Sequence, residues 1–208
     1  MTIVAIDGPT GVGKSTTALA LAAELGADLL LDPVSVSPLL DDYYSGEATP
    51  AAALDSELAF LRSRAHLFAT ASPDRLVVSD FSVMRTAPFA EFLADDTQRR
   101  IVLDELDAAI RHGPRPDVLV LLRAPARSLL ERVRTRARGA EVDLNEEHLD
   151  VLTDHFATWH DAMASQATTL LEIDTSRWDP RRPEDLSRLV DQIRAATRPA
   201  SSRSGETT

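Results

Sequence analysis

The chain has 208 residues, 22 basic against 33 acidic, for a formal net charge of −11 at pH 7, and its 44% hydrophobic and 26% charged content is that of an ordinary globular domain rather than a disordered chain. The acid excess argues against a nucleic-acid partner, whose phosphates need a basic surface, and no apolar run approaches the roughly 18 to 20 residues that span a bilayer. The lack of cysteine excludes disulfides, thiolate metal sites and a Cys nucleophile, and residues 1–7 carry no basic leader or cleavage site, so the cytoplasm is the expected location.

Residues 2–6 form a short apolar, β-branched run ending at Asp7-Gly8, which predicts a strand. An alanine- and leucine-rich helix is expected over 16–25, closed by Gly26, and a second strand over 28–31, bounded by Asp32-Pro33. Leu54, Leu58, Leu61, Ala65 and Phe68 recur at three- and four-residue steps and predict a helix over 51–70. Uninterrupted apolar runs at 76–79 and 118–122 read as strands buried on both faces of a parallel sheet, and residues 169–173 make a fifth strand. Helices are expected over 97–111, 126–138 and 146–164, with a last one from Pro183 to Thr197. Strands alternating with helices predict an α/β doubly wound sheet in one domain over residues 1–197, followed by a polar tail, 198–208, expected to be disordered.

Among the 22 basic residues only Lys14 is a lysine. It lies in Gly8-Pro9-Thr10-Gly11-Val12-Gly13-Lys14-Ser15, the Walker A pattern, in the strand-loop-helix context that the pattern requires. There the backbone N–H groups of Gly8, Gly11, Val12, Gly13 and Thr16 are expected to close around a nucleotide's phosphates. Lys14 would bridge the outer phosphates and Ser15 would bind Mg²⁺. GTPases, motor ATPases and small-molecule kinases all use this loop. The absence of an Asp-Gly pair at Asp80 and of an Asn-Lys-x-Asp motif makes a kinase the leading class.

With those pieces in place the sequence resembles the deoxynucleoside kinase family, in particular its bacterial deoxyadenosine/deoxyguanosine kinase branch. The likeness spans residue 3 to about residue 193. It rests on the opening Ile3-Val-Ala-Ile-Asp-Gly-Pro-Thr-Gly-Val-Gly-Lys-Ser-Thr16, then Asp32-Pro33-Val34, Phe60-Leu61-Arg62-Ser63-Arg64, Val77-Val78-Ser79-Asp80-Phe81-Ser82 and Phe89-Ala90. Pro116-Asp117-Val118, the arginine-rich run from Leu130 to Arg138, and Leu171-Glu172-Ile173-Asp174-Thr175 complete it. The resemblance implies a P-loop kinase fold, a five-stranded parallel sheet with an arginine-rich lid. It also implies ATP and Mg²⁺, a nucleoside acceptor and a homodimer, although the apolar stripes of helices 51–70 and 97–111 are equally explained by packing on the sheet.

By that resemblance Asp32 is the general base for the acceptor's 5′-hydroxyl, the alternative being an acid that only begins an Asp-Pro turn. Asp80 is expected to act on Mg²⁺ with Ser15 and to face the substrate, the alternative being a helix cap. Arg132, Arg136 and Arg138 match the family's lid, against a solvated helix face, and Asp174 with Arg177-Trp178-Asp179-Pro180 matches the loop against the donor's adenine. Glu141 and Tyr44, with Tyr43 competing, resemble the clamp on the sugar 3′-hydroxyl, and Phe89 either stacks on the base or belongs to the core.

The chain departs from the pattern at two positions. Phe81 stands where much of the family has Arg directly after the acid, with Arg85 a candidate substitute, and Glu57 stands where the family has a base-reading Gln. Glu57 either faces the base, pairs with Arg64, or lies on a solvated face. The other functional readings are a monophosphate kinase of the thymidylate type, which would use Arg62, Arg64 and Arg85 around an acceptor phosphate, and a nucleotide-binding regulator without turnover.

Overall fold

The computed structural model describes residues 1–33, 49–136 and 144–197. Five strands make one sheet: β1 (Thr2–Asp7), β2 (Asp28–Leu30), β3 (Leu76–Ser79), β4 (Val118–Arg123) and β5 (Thr169–Asp174). Their spatial order is β2-β3-β1-β4-β5 and every pair is parallel. The doubly wound sheet expected from the apolar runs is therefore the observed one. Parallel pairing needs a crossover between successive strands, and the helices that supply it cover both faces.

The two faces explain why β1 and β4 have no polar alternation. Val4 and Ile6 of β1 and Val118, Val120 and Leu122 of β4 pack into one core with α1 (Lys14–Leu25), α5 (Ala126–Arg136) and α8 (Pro183–Thr197). Ile3 and Ala5, with Leu119 and Leu121, pack into the other, against α2 (Pro50–Thr70), α4 (Asp96–His112) and α6 (Glu146–Thr158). Helix ends follow local chemistry. Thr49 caps α2, with Pro50 in its first turn, and the Asp95 carboxylate caps α4 by accepting from Thr97 N–H (2.7 Å) and Gln98 N–H (3.1 Å). Gly26, in the left-handed region, closes α1.

Two elements differ from expectation. The helix expected over 146–164 breaks at Trp159 into α6 and a short α7 (His160–Ala164), where the backbone leaves helical geometry and the indole N–H reaches Glu91 (3.0 Å). Between β3 and α4, where no periodicity marks an element, a tight turn (Val83–Arg85) runs into a five-residue α3 (Thr86–Ala90) that is buried throughout. That buried crossing carries Arg85 and Thr86 toward the carboxyl ends of β1 and β2.

Candidate functional site

The site gathers at the carboxyl ends of β1, β2 and β3, where a parallel sheet presents its loops. From β1 the chain enters the glycine loop. Gly8 has φ +140°, and a Cβ there would lie 2.3 Å from the Leu122 carbonyl oxygen, so only glycine lets the loop pass this close to β4. Lys14 begins α1 and folds back over the loop, donating to the Gly8 and Pro9 carbonyls (2.9 Å each). Burial first, and the Arg85 guanidinium second, push the Lys14 ammonium well below the ordinary lysine range, against the opposing pull of Asp7, Asp80 and Asp32.

Asp80, just past β3, ties the loop to β2. Its Oδ2 accepts from Ser15 Oγ (2.5 Å) and its Oδ1 from the backbone N–H of Asp32 (2.6 Å). Asp80 thus caps no helix, and two hard oxygen donors, the Ser15 hydroxyl and the Asp80 carboxylate, meet beside the loop.

Asp32 is buried and gripped from two sides. Arg64 of α2 donates through Nε to Oδ1 (3.2 Å) and through Nη2 to Oδ2 (3.1 Å), a bidentate pair, and its Nη1 reaches Thr86 Oγ1 (3.2 Å). Arg85 brings Nε to 3.5 Å from Oδ2. The hydrogen bonds of the Arg64 guanidinium go to Asp32 and Thr86. Glu57 is 1% exposed on the same face of α2 as Arg64, which overturns the solvated-face alternative. Phe81 is fully buried with its ring centroid 4.9 Å from that of Phe68, so it fills core volume and offers nothing to the site. Phe89 is also a core residue, with Phe156 against its edge and the Arg85 guanidinium 4.8 Å from its ring centroid.

On the other side of the loop a cavity of about 260 Å³ is bounded by Gly11, Gly13, Thr16, Arg132, Arg136 and the Trp178–Arg181 segment. Arg132 donates to Thr175 Oγ1 and to the Thr175 carbonyl (2.8 Å each) and lies 3.4 Å from the Val12 carbonyl, which fastens α5 to the loop; it is not a solvated residue. Asp174 does not line this cavity. It is exposed, and its carboxylate turns onto Ser176 N–H (2.9 Å) and Ser176 Oγ (2.6 Å), bonds that hold it below the usual carboxylate range. Trp178, Asp179 and Pro180 of the segment expected with it do line the cavity, Trp178 and Asp179 held by Asp185 at the start of α8 through Trp178 Nε1 to the Asp185 carbonyl and Asp179 N–H to its Oδ2 (3.1 Å each). Arg181, bonded to Asp179, draws that carboxyl down to about 2. Tyr43, Tyr44, Arg138 and Glu141 lie outside the described residues.

Two participants have no counterpart in the sequence reading, Asp7 and Thr86. Asp7 was detectable as the single acid that ends an otherwise apolar strand. Thr86 carried no signal, because its position depends on the unanticipated turn. Among the described residues no three or more His, Cys, Asp or Glu side chains gather to hold a metal, and no helix is long and apolar enough to cross a membrane.

A glycine loop between the central strand of a five-stranded parallel sheet and its first helix, with acids from the ends of β3 and β2, the two strands on one side of it, defines a P-loop kinase. The profile of the deoxynucleoside kinase family matches residues 4–197, and the chain belongs to that family of phosphotransferases with an alcohol group as acceptor. Among curated relatives, a deoxyadenosine kinase of Lactobacillus acidophilus is 28% identical over 149 residues, 67% of this chain and 68% of its own. A deoxyadenosine/deoxycytidine kinase of Bacillus subtilis is 26% identical over 206 residues, 92% and 91% respectively. The solved structure of deoxyadenosine kinase from M. mycoides with bound dCTP superposes with a TM-score of 0.79 at 17% identity, covering 93% of this chain and all of the other, a likeness of fold.

Proposed function

We propose that the protein transfers the γ-phosphoryl group of ATP to the 5′-hydroxyl of a deoxynucleoside or nucleoside-like compound, with Asp32 as general base. The observation that carries this reading is the setting of Asp32. It is buried, oriented by the bidentate Arg64, and linked through Asp80 to Ser15 of the phosphate loop. In the transfer the hydroxyl proton passes to Asp32 as the 5′-oxygen forms its bond to the γ-phosphorus, and the bond from that phosphorus to the bridging oxygen breaks to release ADP. Lys14 exchanges its carbonyl partners for the outer phosphates, and Arg132 and Arg136 face the transferring group from α5. Ser15 and Asp80 have the oxygen chemistry that Mg²⁺ prefers, and the ion would neutralise charge on the donor phosphates. The donor base would rest in the cavity along Trp178.

The same geometry disfavours a monophosphate acceptor. Arg64 and Arg85 are committed to carboxylates, and Arg62 is exposed in a pair with Glu105 (3.0 Å), so none of the three is arranged to meet an acceptor phosphate. A cytoplasmic homodimer joined through α2 and α4 is part of the proposal. The test is a panel of nucleosides and nucleoside monophosphates with ATP and Mg²⁺. Transfer to at least one nucleoside and to no monophosphate is expected, and transfer to monophosphates alone would overturn the assignment.

A further inference from the structure

Asp7 ends β1 and is fully buried although it is acidic. Its Oδ1 accepts from Gly8 N–H (2.8 Å) and from Arg85 Nη1 (3.3 Å), and its Oδ2 accepts from Ser82 N–H (3.2 Å) and Ser82 Oγ (2.5 Å). One carboxylate thereby joins the entry of the phosphate loop to the turn after β3. The same Arg85 Nη1 donates to the Gly8 carbonyl (2.7 Å), and the Phe89 ring lies against the guanidinium. A guanidinium is rigid and planar, so a hold on one nitrogen and a ring against the plane fix the direction of the remaining N–H groups. The direction fixed here brings Nε to Asp32.

We propose that Asp7 is a positioning residue for phosphoryl transfer, acting through Arg85 on Asp32. The guanidinium that Phe81 cannot offer reaches the base from the turn instead, with its far end held by a carboxylate on the central strand beside the Gly8 carbonyl. The inference rests on Asp32 as general base. Arg64 takes both Asp32 oxygens, and Arg85, reaching Oδ2 from the turn after β3, adds a second restraint on rotation of the carboxylate. Loosening that restraint moves the proton-accepting oxygen by a fraction of its reach, and misplacement of about 1 Å costs on the order of 100-fold in a positioned reaction.

The experiment is a double-mutant cycle in the full chain: Asp7→Asn, Arg85→Met and the pair, with kcat and KM for the nucleoside, affinity for a fluorescent ATP analogue, and thermal midpoint. Asparagine keeps the size and one acceptor of Asp7 but removes the charge that holds Arg85. We expect Asp7→Asn to lower kcat about 30-fold with ATP affinity changed less than about threefold, and to lower it less than about threefold further when Arg85 is already methionine. Arg85→Lys should recover part of the loss seen in Arg85→Met. A fall in thermal midpoint with kcat per folded molecule unchanged, or an equal loss of kcat with and without Arg85, would overturn the proposal. Should Asp7→Asn not fold, added guanidinium ion with Arg85→Ala replaces it; at least fivefold recovery of kcat supports a held guanidinium at this place, and no recovery overturns it. Asp32→Asn in the same assay separates the two readings. If Asp32→Asn keeps turnover, the base assignment fails, while the coupling between Asp7 and Arg85 stands or falls on its own cycle.

Discussion

The donor and acceptor sides of the loop are built by different means. The side proposed for the donor is mostly backbone: three closely spaced glycines, a helix start and a lysine that bonds carbonyls five and six residues before it. The acceptor side is mostly side chains from distant parts of the chain, with Arg64 and Asp32 32 residues apart, Ser15 and Asp80 65 apart, and Arg85 and Asp7 78 apart. There two buried carboxylates, Asp7 and Asp32, face two buried guanidiniums, Arg64 and Arg85, a group whose charges balance. A local loop tolerates changes around it, but a balanced buried group fails when any one partner is removed, because the partner left behind remains desolvated.

The largest effect that would break this contrast belongs to the donor side. Lys14→Met should lower turnover by several orders of magnitude with the circular dichroism spectrum unchanged, since the phosphates lose their mobile cation and the loop keeps its backbone. Near-normal turnover would remove the loop from the mechanism. Next is Asp32→Asn, expected to lower kcat by about 10²- to 10⁴-fold while ATP affinity, read by titration, stays within about threefold. If Asp80→Asn abolishes turnover and Asp32→Asn does not, the roles of the two acids are reversed.

Stability sharpens the contrast within one helix. Arg64→Ala removes the bidentate partner of a buried carboxylate and should cost about 3 kcal/mol in chemical denaturation, whereas Arg62→Ala, two residues away in an exposed pair, should cost less than about 0.5 kcal/mol. Similar losses would show that the buried group is not cooperative. Glu57→Gln should shift the ranking of adenine, guanine, cytosine and thymine nucleosides by about tenfold, roughly 1.4 kcal/mol, because an amide offers a donor where a carboxylate offers acceptors only. An unchanged ranking would mean that Glu57 does not read the base.

The smallest effect is a fraction of a proton. Lys14 is lowered in the free protein, first by burial, so between that lowered value and the ordinary lysine value it is largely neutral. Polyphosphate favours the ammonium, and ATP binding in that window should therefore take up protons and weaken as pH rises. For folding the sign is opposite. The unfolded chain holds the Lys14 proton more tightly, so this residue opposes folding below the lowered value, and the opposition fades as pH rises through that value toward the ordinary one. Calorimetry in two buffers of different ionisation enthalpy reads the uptake, and Lys14→Met should abolish it.

Much of this protein was legible in sequence because the signals are local. Apolar runs at 2–6, 76–79 and 118–122 can only be strands buried on both faces, and a glycine loop followed by Lys14-Ser15 and an alanine-rich helix has one physical use. Asp32, Asp80 and the arginines of α5 were named by the resemblance to the family, whose motifs sit beside those elements. The partnerships were not legible. Arg64 stands seven residues from Glu57 on one face of α2, yet it turns to Asp32, because the unmarked turn at Val83–Arg85 and the buried α3 carry Thr86 and Arg85 against it. Of the segment expected against the donor, Trp178 lines the cavity, whereas the Asp174 carboxylate turns onto Ser176. Periodicity reports which face of an element is buried. It carries no information about which of several buried charges will lie within 3.5 Å of one another, since that is set by how whole elements cross, and only the tertiary structure decided it.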